Sequence, residues 1–216
     1  MAGLFITFEG TEGAGKSTLI QSLAAELKFL GFEVCKTREP GGSALAEKVR
    51  ALIIHEEMDA WTELMLYEAS RAEHLARTVR PALENDATVL CDRYSDSSLA
   101  YQGEARGLPW KKVLQANALA TQGLTPDLTV FLDIDPEFAL KRASDPNRFE
   151  REGVEFQKRV RKGFLRAMKE KPRRWFRLRV KEQTPAELTT AVLREMQRRF
   201  PAAFRRASKR EESLGV

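Results

Sequence analysis

The chain has 216 residues, 43% of them hydrophobic, which suits one α/β domain with a buried core. Charged residues make up 31%, which argues against disorder, and no apolar run reaches the roughly 18 residues of a membrane span. The N-terminus lacks a signal-peptide pattern, so we expect a cytoplasmic protein with no membrane partner. The net charge of +5 suits either nucleic acid or a small polyphosphate.

Hydrophobic periodicity divides the chain into alternating strands and helices. In chain order we predict a strand at 4–8, a helix at 16–30, a strand at 32–37, a helix at 43–54, a long helical pattern at 60–84, a strand at 87–91, a helix at 109–122, a strand at 127–133, a helix capped by Asp135, a helix at 153–170, a strand at 175–180 and a helix from Pro185. Pro81 should kink or end the long helical pattern. Thr184 and Glu187 form a predicted capping box.

Five strands that alternate with helices predict an α/β fold with a mainly parallel, doubly wound sheet. We expect one domain over residues 1–204. Apolar residues no longer recur at helical spacing over residues 205–216, so we expect a frayed basic tail there. Ligands of such sheets bind at the carboxyl ends of strands, and the motifs described next follow predicted strands.

The first strand leads into Gly10-Thr-Glu-Gly-Ala-Gly-Lys-Ser17, which fits the P-loop pattern G-x-x-x-x-G-K-[ST] in full. Glycines let backbone N–H groups turn toward phosphate oxygens, and the next helix presents its positive N-terminus to them. Lys16 would reach the β- and γ-phosphates, and the Ser17 hydroxyl would ligate Mg²⁺. The predicted nucleoside-triphosphate site consists of Gly10, Thr11, Glu12, Gly13, Ala14, Gly15, Lys16, Ser17 and Thr18.

Two further predicted strands end in arginine. Arg38 lies within Thr37-Arg-Glu-Pro-Gly-Gly42, and Arg93 follows Asp92, whose Walker-B-like position would hold Mg²⁺ directly or through water. Guanidinium groups match phosphate oxygens, so two converging arginines favour a second phosphate, although each alone also fits a surface salt bridge. A phosphate monoester is largely ionised at neutral pH and needs no general base, which favours a monophosphate acceptor over a nucleoside.

These motifs resemble those of the thymidylate kinase family. The matching segments are Phe8–Ser17, Thr37–Gly42, Leu66–Arg71, Asp92–Gln102 and Pro126–Asp133. The resemblance implies a P-loop NTPase fold of the nucleoside-monophosphate-kinase type, transfer of the γ-phosphoryl group of ATP to dTMP with Mg²⁺, and a homodimer. The apolar stretch Leu64–Leu75 is a candidate dimer face.

Two alternatives stay open at this stage. Another small-molecule P-loop kinase would act on a different nucleoside monophosphate or on a deoxynucleoside. A basic P-loop protein that binds nucleic acid would leave Tyr67 and Arg71 without a role, and we expect no nucleic-acid partner.

The resemblance also implies individual roles at the acceptor. Tyr67 would stack on thymine and Arg71, one helical turn on, would hydrogen-bond a base carbonyl, although the pattern alone also fits Tyr67 in the core. Glu12, otherwise a solvent-facing loop residue, would contact the 3′-hydroxyl, and Tyr101 would help to reject a 2′-hydroxyl. The implied dTMP site consists of Glu12, Arg38, Pro40, Tyr67, Arg71, Arg93, Ser98, Tyr101 and Gln102.

The family's lid corresponds to residues 142–152, which form a short lid here. This P-loop contains no arginine, and the resemblance implies that lid arginines then stabilise the transferring phosphoryl group. The catalytic candidates are Lys16, Arg93, Arg142, Arg148 and Arg151. Asn147 stands where aspartate is usual, so the pattern leaves open which lid arginine reaches the phosphoryl group.

Overall fold

The computed structural model describes residues 3–140 and 148–214. Its centre is a five-stranded sheet in the order β2-β3-β1-β4-β5, and every neighbouring pair is parallel. The strands are β1 (Phe5–Glu9), β2 (Val34–Arg38), β3 (Thr88–Asp92), β4 (Leu128–Asp133) and β5 (Trp175–Arg179). The predicted doubly wound, P-loop NTPase type of sheet is thus confirmed.

Helices connect the strands and cover both faces of the sheet. They are α1 (Lys16–Phe29), α2 (Ala44–His55), α3 (Ala60–His74), α4 (Arg80–Glu84), α5 (Ser95–Ser98), α6 (Trp110–Thr121), α7 (Pro136–Leu140), α8 (Arg148–Arg151), α9 (Gly153–Glu170), α10 (Pro185–Arg199) and α11 (Pro201–Leu214). Two π-helical segments, Leu75–Val79 and Leu99–Ala105, interrupt the helical layer. No helix in these described ranges combines the length and apolar character that a membrane crossing requires.

The central strand β1 is buried on both faces, which explains its continuous apolar run. Successive side chains of a strand point to opposite faces. Ile6 and Phe8 therefore pack in the core cluster that α1 and α10 share, while Phe5 lies in a separate cluster on the other side. Thr7 lies on that other side too, and its buried hydroxyl shares a hydrogen bond of 3.1 Å with Thr129 of β4.

The predicted helix starts agree with the caps that the structure shows. The Thr184 hydroxyl accepts from the Glu187 backbone N–H at 3.3 Å, and the Glu187 carboxylate accepts from the Thr184 N–H at 2.7 Å. Asp135 accepts from the backbone N–H of Glu137 at 2.9 Å. These local contacts begin α10 and α7 where the sequence predicted.

The predicted break near Pro81 is present as a π-helical turn rather than a simple kink. α3 continues through Leu75–Val79 into α4, where Pro81 lies in the first turn. Proline has no N–H to donate to a carbonyl one turn earlier, so the hydrogen-bond ladder must change spacing ahead of it.

The apolar stretch Leu64–Leu75, predicted as a dimer face, points inward at both ends. Leu64 and Leu75 are buried within the chain itself. The exposed large apolar side chains of α3 are Trp61, just before this stretch, and Met65, within it. A role for this stretch in a dimer therefore stays a prediction.

The prediction of a frayed tail from residue 205 differs from the structure, in which α11 continues to Leu214. Ala203 and Ala207, one turn apart, are buried against the chain. The Phe204 ring meets Phe32 edge-on at a centroid distance of 4.8 Å. The packing face of α11 consists partly of alanines, and the sequence prediction considered only large apolar residues at helical spacing.

Candidate active site

The carboxyl ends of β1, β2 and β3 lie side by side at one edge of the sheet. In the parallel ladder, Phe8 and Arg38 both pair with Asp92, from opposite sides. The loop after β1, the end of β2 and the turn after β3 therefore meet at this edge. This is where ligands bind in open α/β sheets.

The loop from Gly10 to Ser17 depends on glycine for its path. Gly13 and Gly15 have φ values of 70° and 88°, in the left-handed region that other residues rarely adopt. A Cβ atom at Gly13 would also collide with the carbonyl oxygen of Ala139, near the end of α7. The loop and α7 are thus packed backbone against backbone.

Lys16, the first residue of α1, folds back into the loop. Its Nζ donates to the carbonyl oxygens of Thr11 at 3.1 Å and Gly10 at 3.4 Å. Burial lowers the pKa of Lys16, and the charge of Arg93 lowers it further. A buried cation inside a ring of backbone groups is what a polyphosphate requires.

Ser17 and Asp92, the two predicted Mg²⁺ ligands, are in contact. The Ser17 hydroxyl donates to Asp92 Oδ2 at 3.0 Å. Asp92 Oδ1 is buried and has no hydrogen-bond partner within the described part of the chain. Oxygen ligands of this kind suit Mg²⁺, which binds through one or two carboxylates together with substrate phosphates.

Arg93 links the P-loop to the turn after β3. Its Nη1 donates to the Gly10 carbonyl at 2.9 Å, and its Nη2 pairs with Glu12 Oε1 at 2.7 Å. Tyr101 donates its hydroxyl to the same Glu12 oxygen at 3.2 Å, and the Arg93 guanidinium lies 4.9 Å from the Tyr101 ring centre. Burial opposes charge on both partners, yet the pair keeps the pKa of Glu12 low and that of Arg93 high.

Glu9, at the end of β1, holds the turn that carries Arg93. Arg93 itself has a left-handed φ of 69°. Glu9 accepts from the Tyr94 backbone N–H at 2.9 Å and from the Ser97 hydroxyl at 2.6 Å. Burial, with the nearby charge of Asp96, raises the pKa of Glu9 to about 8. None of the sequence motifs gives this carboxylate a role.

Arg71 is the largest polar side chain buried in the described structure. Its Nε donates to Glu39 at 2.7 Å, and its Nη1 donates to Glu68 at 2.6 Å, Asn117 at 2.8 Å and Ser98 at 3.2 Å. Burial would lower the pKa of Arg71, but the two carboxylates outweigh it and raise the pKa. None of the hydrogen bonds among the described residues uses Nη2, which leaves that edge for a ligand.

A cavity lies beside the P-loop, at the Arg93 side. The residues that line it include Glu12, Tyr67, Arg71, Arg93, Tyr101 and Gln102. The Tyr67 ring is half-buried, with its centre 6.4 Å from the Phe149 ring, and Phe149 meets Tyr101 edge-on at 5.7 Å. The predicted base-stacking and sugar-contacting rings therefore lie in one aromatic group, to which the predicted lid contributes Phe149.

Arg38 lies in a neighbouring cleft rather than in this cavity. It is 54% exposed and pairs with Glu47 of α2 at 3.0 Å. The same cleft is lined by Ser17, Lys36 and Asp92. Arg38 is thus ion-paired with Glu47 on the α2 side, and its convergence with Arg93 on one phosphate stays a prediction.

Arg50 of α2 is a cation near the site that the sequence did not single out. Its Nη1 donates to the Pro40 carbonyl at 3.0 Å, so the predicted contact residue Pro40 holds this arginine. Burial and the charge of Arg38 lower the pKa of Arg50, while Tyr67 and Asp92 are close enough to oppose them. No local motif marks Arg50, since it reaches the site only through the packing of α2.

The structure describes the three predicted lid arginines to different extents. Arg142 lies outside the described residues. The backbone of Arg148 begins α8, and Arg151 ends that helix with an exposed side chain.

A P-loop next to a buried, arginine-rich and aromatic cavity at the carboxyl edge of a five-stranded parallel sheet defines a P-loop nucleoside-monophosphate kinase. Comparisons with known proteins identify the family within this class. The family model described as thymidylate kinase matches residues 8–192. The chain belongs to the thymidylate kinase family.

Individual relatives are similar over most of their length. A thymidylate kinase of Deinococcus radiodurans is 47% identical over 198 residues, covering 88% of this chain and 96% of the relative. One from Shouchella clausii is 47% identical over 180 residues, covering 80% and 84%. A solved thymidylate kinase from Ehrlichia chaffeensis has a TM-score of 0.75 at 32% identity, covering 91% of this chain and 99% of that one.

Proposed function

We propose that this chain transfers the γ-phosphoryl group of ATP to dTMP and so forms dTDP. The observation that carries the proposal is the cavity beside the P-loop, in which Arg93 lies at the loop and buried Arg71 lies next to Gln102. We assign Arg93 to the acceptor phosphate and Arg71 to the edge of a base. The names of the relatives supply the particular base.

The donor part of the proposal assigns Gly10–Thr18 to ATP, with Lys16 on its β- and γ-phosphates. Mg²⁺ is assigned to Ser17 and Asp92, and the unpartnered Asp92 Oδ1 supports this assignment. When bound, the ion would neutralise charge on the phosphates. Ser17 and Thr18 are exposed at the first turn of α1, where phosphate oxygens can reach them.

The acceptor part assigns Arg93, with Arg38 from the adjoining cleft, to the phosphate of dTMP. An oxygen of that phosphate attacks the γ-phosphorus, a new P–O bond forms, and the bond to the β–γ bridging oxygen breaks, so that ADP leaves. Because the attacking phosphate is already ionised, no side chain has to remove a proton. Glu12, held by Arg93 and Tyr101, is assigned to the 3′-hydroxyl.

The base and the lid complete the assignment. Tyr67 is the proposed stacking surface, and Arg71, Ser98 and Gln102 form the polar edge around the base. Arg142, Arg148 and Arg151 are proposed to supply charge to the transferring phosphoryl group, because the P-loop carries no arginine. The proposed lid is residues 142–152 of a single kinase domain.

We also propose a homodimer that works in the cytoplasm. Exposed apolar side chains on α2 and α3 support the dimer: Leu45, Leu52, Trp61 and Met65. Scattered apolar residues are common on surfaces, but adjacent helices that each expose large ones favour an interface. Light scattering after gel filtration tests this, and a monomer at micromolar concentration would contradict it.

The activity is tested with a coupled assay that follows ADP, using ATP with dTMP, dUMP, dCMP and thymidine as acceptors. We expect the highest kcat/KM for dTMP. Turnover of thymidine without turnover of dTMP would support a deoxynucleoside kinase instead. A preference for another monophosphate would support the other alternative.

A further inference from the structure

Gln102 lies in the π-helical segment Leu99–Ala105 and lines the acceptor cavity, with only 1% of its surface exposed. Its Nε2 donates to Glu63 Oε1 at 2.8 Å. Its Oε1 is buried and has no hydrogen-bond partner among the described residues. A buried amide oxygen without a partner is costly, so this atom is the one that Gln102 offers to a ligand.

The orientation of this amide is determined by Glu63. A carboxylate only accepts hydrogen bonds, so the nitrogen of Gln102 must face it, and a flipped amide would bring two acceptors together. Glu63 is itself 1% exposed on α3, and Arg106 donates to both of its oxygens, at 3.4 and 3.3 Å. The ion pair with Arg106 stabilises the Glu63 carboxylate, which accepts hydrogen bonds only, next to the amide nitrogen of Gln102.

The cavity therefore offers an acceptor and a donor, each without a protein partner among the described residues, to the edge of a base. The acceptor is Gln102 Oε1, and the donor is the Arg71 Nη2 edge. Thymine and uracil carry an N3–H donor beside the O4 acceptor. Cytosine carries an N3 acceptor beside a 4-amino donor, so both contacts would be mismatched.

We infer that Glu63 is a specificity-determining positioning residue: by fixing the amide of Gln102, it selects thymine or uracil and excludes cytosine. This inference rests on the proposed function. Glu63 acts only through Gln102. Glu63 should affect recognition of the polar edge of the base and not of the 5-methyl group. A residue that only supported the cavity would affect dTMP and dUMP differently as well.

The test compares kcat/KM for dTMP, dUMP and dCMP in the wild type and in Glu63→Gln. A glutamine at 63 can donate or accept, so Gln102 can turn either way. We expect the dTMP/dCMP ratio to fall by about tenfold or more, since unpaired polar groups are what reject the wrong base. The dTMP/dUMP ratio should stay at its wild-type value, because uracil presents the same polar edge.

Glu104→Gln is the matched control. Glu104 lies two residues after Gln102 and is ion-paired with Lys162 at 2.6 Å and Arg166 at 3.3 Å, but it does not contact the amide. Its variant should keep both ratios. Glu63→Asp keeps an acceptor-only group and should retain more discrimination than Glu63→Gln, which provides a second test if the glutamine variant folds poorly.

An unchanged dTMP/dCMP ratio in Glu63→Gln, or an equal fall in both ratios, would overturn the inference while leaving the proposed function intact. Equal losses in Glu63→Asp and Glu63→Gln would also overturn it. A wild-type enzyme that does not use dTMP would overturn the proposed function itself.

Discussion

Arg71 is fully buried and the side chain of Arg93 is 12% exposed, and the two arginines have different surroundings. Two carboxylates and two neutral side chains fix the Nε and Nη1 edge of Arg71. Arg93 has one carboxylate partner, Glu12, and a left-handed backbone that aims it across the P-loop. Arg71 is thus anchored for directional hydrogen bonding, whereas Arg93 retains more uncompensated charge for an anion.

Replacing Arg93 by alanine should remove the contact that we propose with the acceptor phosphate. We expect kcat/KM for dTMP to fall by about 30-fold or more, because truncating one member of a largely buried charge pair costs ~2–5 kcal/mol. Binding of a non-hydrolysable ATP analogue, measured by calorimetry, should stay within a few-fold of wild type. Arg77→Ala, at an arginine that is 72% exposed, is the control. An equal loss of ATP binding would place Arg93 in the donor site instead.

Replacing Glu9 by glutamine should change how stability depends on pH. The pKa of Glu9 is about 8 in the folded chain against an ordinary 4.5, and the neighbouring charges that act on it are Asp96 and Arg93. Between these values the folded state holds a proton that the unfolded state has lost, so the free energy of unfolding falls as pH rises. Glu9→Gln removes this contribution and should flatten the fall.

Urea denaturation at about pH 5 and pH 8 measures the effect of Glu9→Gln on the free energy of unfolding. Glu26→Gln, at an exposed position on α1, is the matched control and should keep the wild-type slope. A Glu9→Gln slope as steep as that of the wild type would show that other groups cause the pH dependence.

The sequence identified the proposed phosphate-binding residues, but it did not identify the partners that hold the buried side chains of the site in place. The P-loop, Asp92 and Arg93 form local motifs at strand ends, so their positions follow from the order of elements. Asn117 lies 46 residues from Arg71, and only the packing of α6 against α3 brings the two together. No local sequence motif marks such partners, although a buried arginine requires carboxylate partners elsewhere in the fold.

At the scale of elements, the π-helical segment Leu99–Ala105 and helix α9 form one unit. Gly163 is where their backbones approach: a Cβ added there would lie 2.6 Å from Ala100 Cα and 2.9 Å from Glu104 Cβ. The segment carries Tyr101 and Gln102, and α9 follows the predicted lid directly. The wider turn of a π-helix places both side chains toward the cavity, a feature that apolar periodicity did not reveal.

Gly163→Ala should push α9 away from this segment. We expect a loss of about 1–3 kcal/mol in the free energy of unfolding, typical of overpacking, and a larger rise in KM for dTMP than for ATP. Lys162→Ala removes an ion pair next to it whose lysine is 76% exposed, and it should cost less than about 1 kcal/mol. Equal increases in KM for both substrates would contradict a specific link to the acceptor cavity.

At the scale of the whole molecule, the two ends of the sheet have separate roles. The carboxyl end carries the site, while α11 covers the amino end, near the residues that precede β1, β2 and β3. The contact of Phe204 with Phe32 lies at that amino end. α11 also lies beyond residue 192, where the match to the family model ends.

Phe204→Ala should therefore lower stability without changing substrate use. We expect a loss of about 1–2 kcal/mol in the free energy of unfolding for this half-buried aromatic pair, and an unchanged KM for dTMP and ATP. Thermal unfolding and the coupled assay measure the two effects. Arg205→Ala, exposed on the same helix, is the control and should be neutral. A change in KM would mean that the packing of α11 affects substrate binding at the opposite end of the sheet.

The collision that any side chain at Gly13 would have with Ala139 limits how such enzymes can be recombined. Placing an arginine at Gly13 of this chain takes more than one substitution, because the backbone of α7 already occupies the space. Chimeras should therefore exchange the loop after β1 together with α7. Gly13 and Ala139 therefore behave as one structural unit, although they lie in distant parts of the sequence.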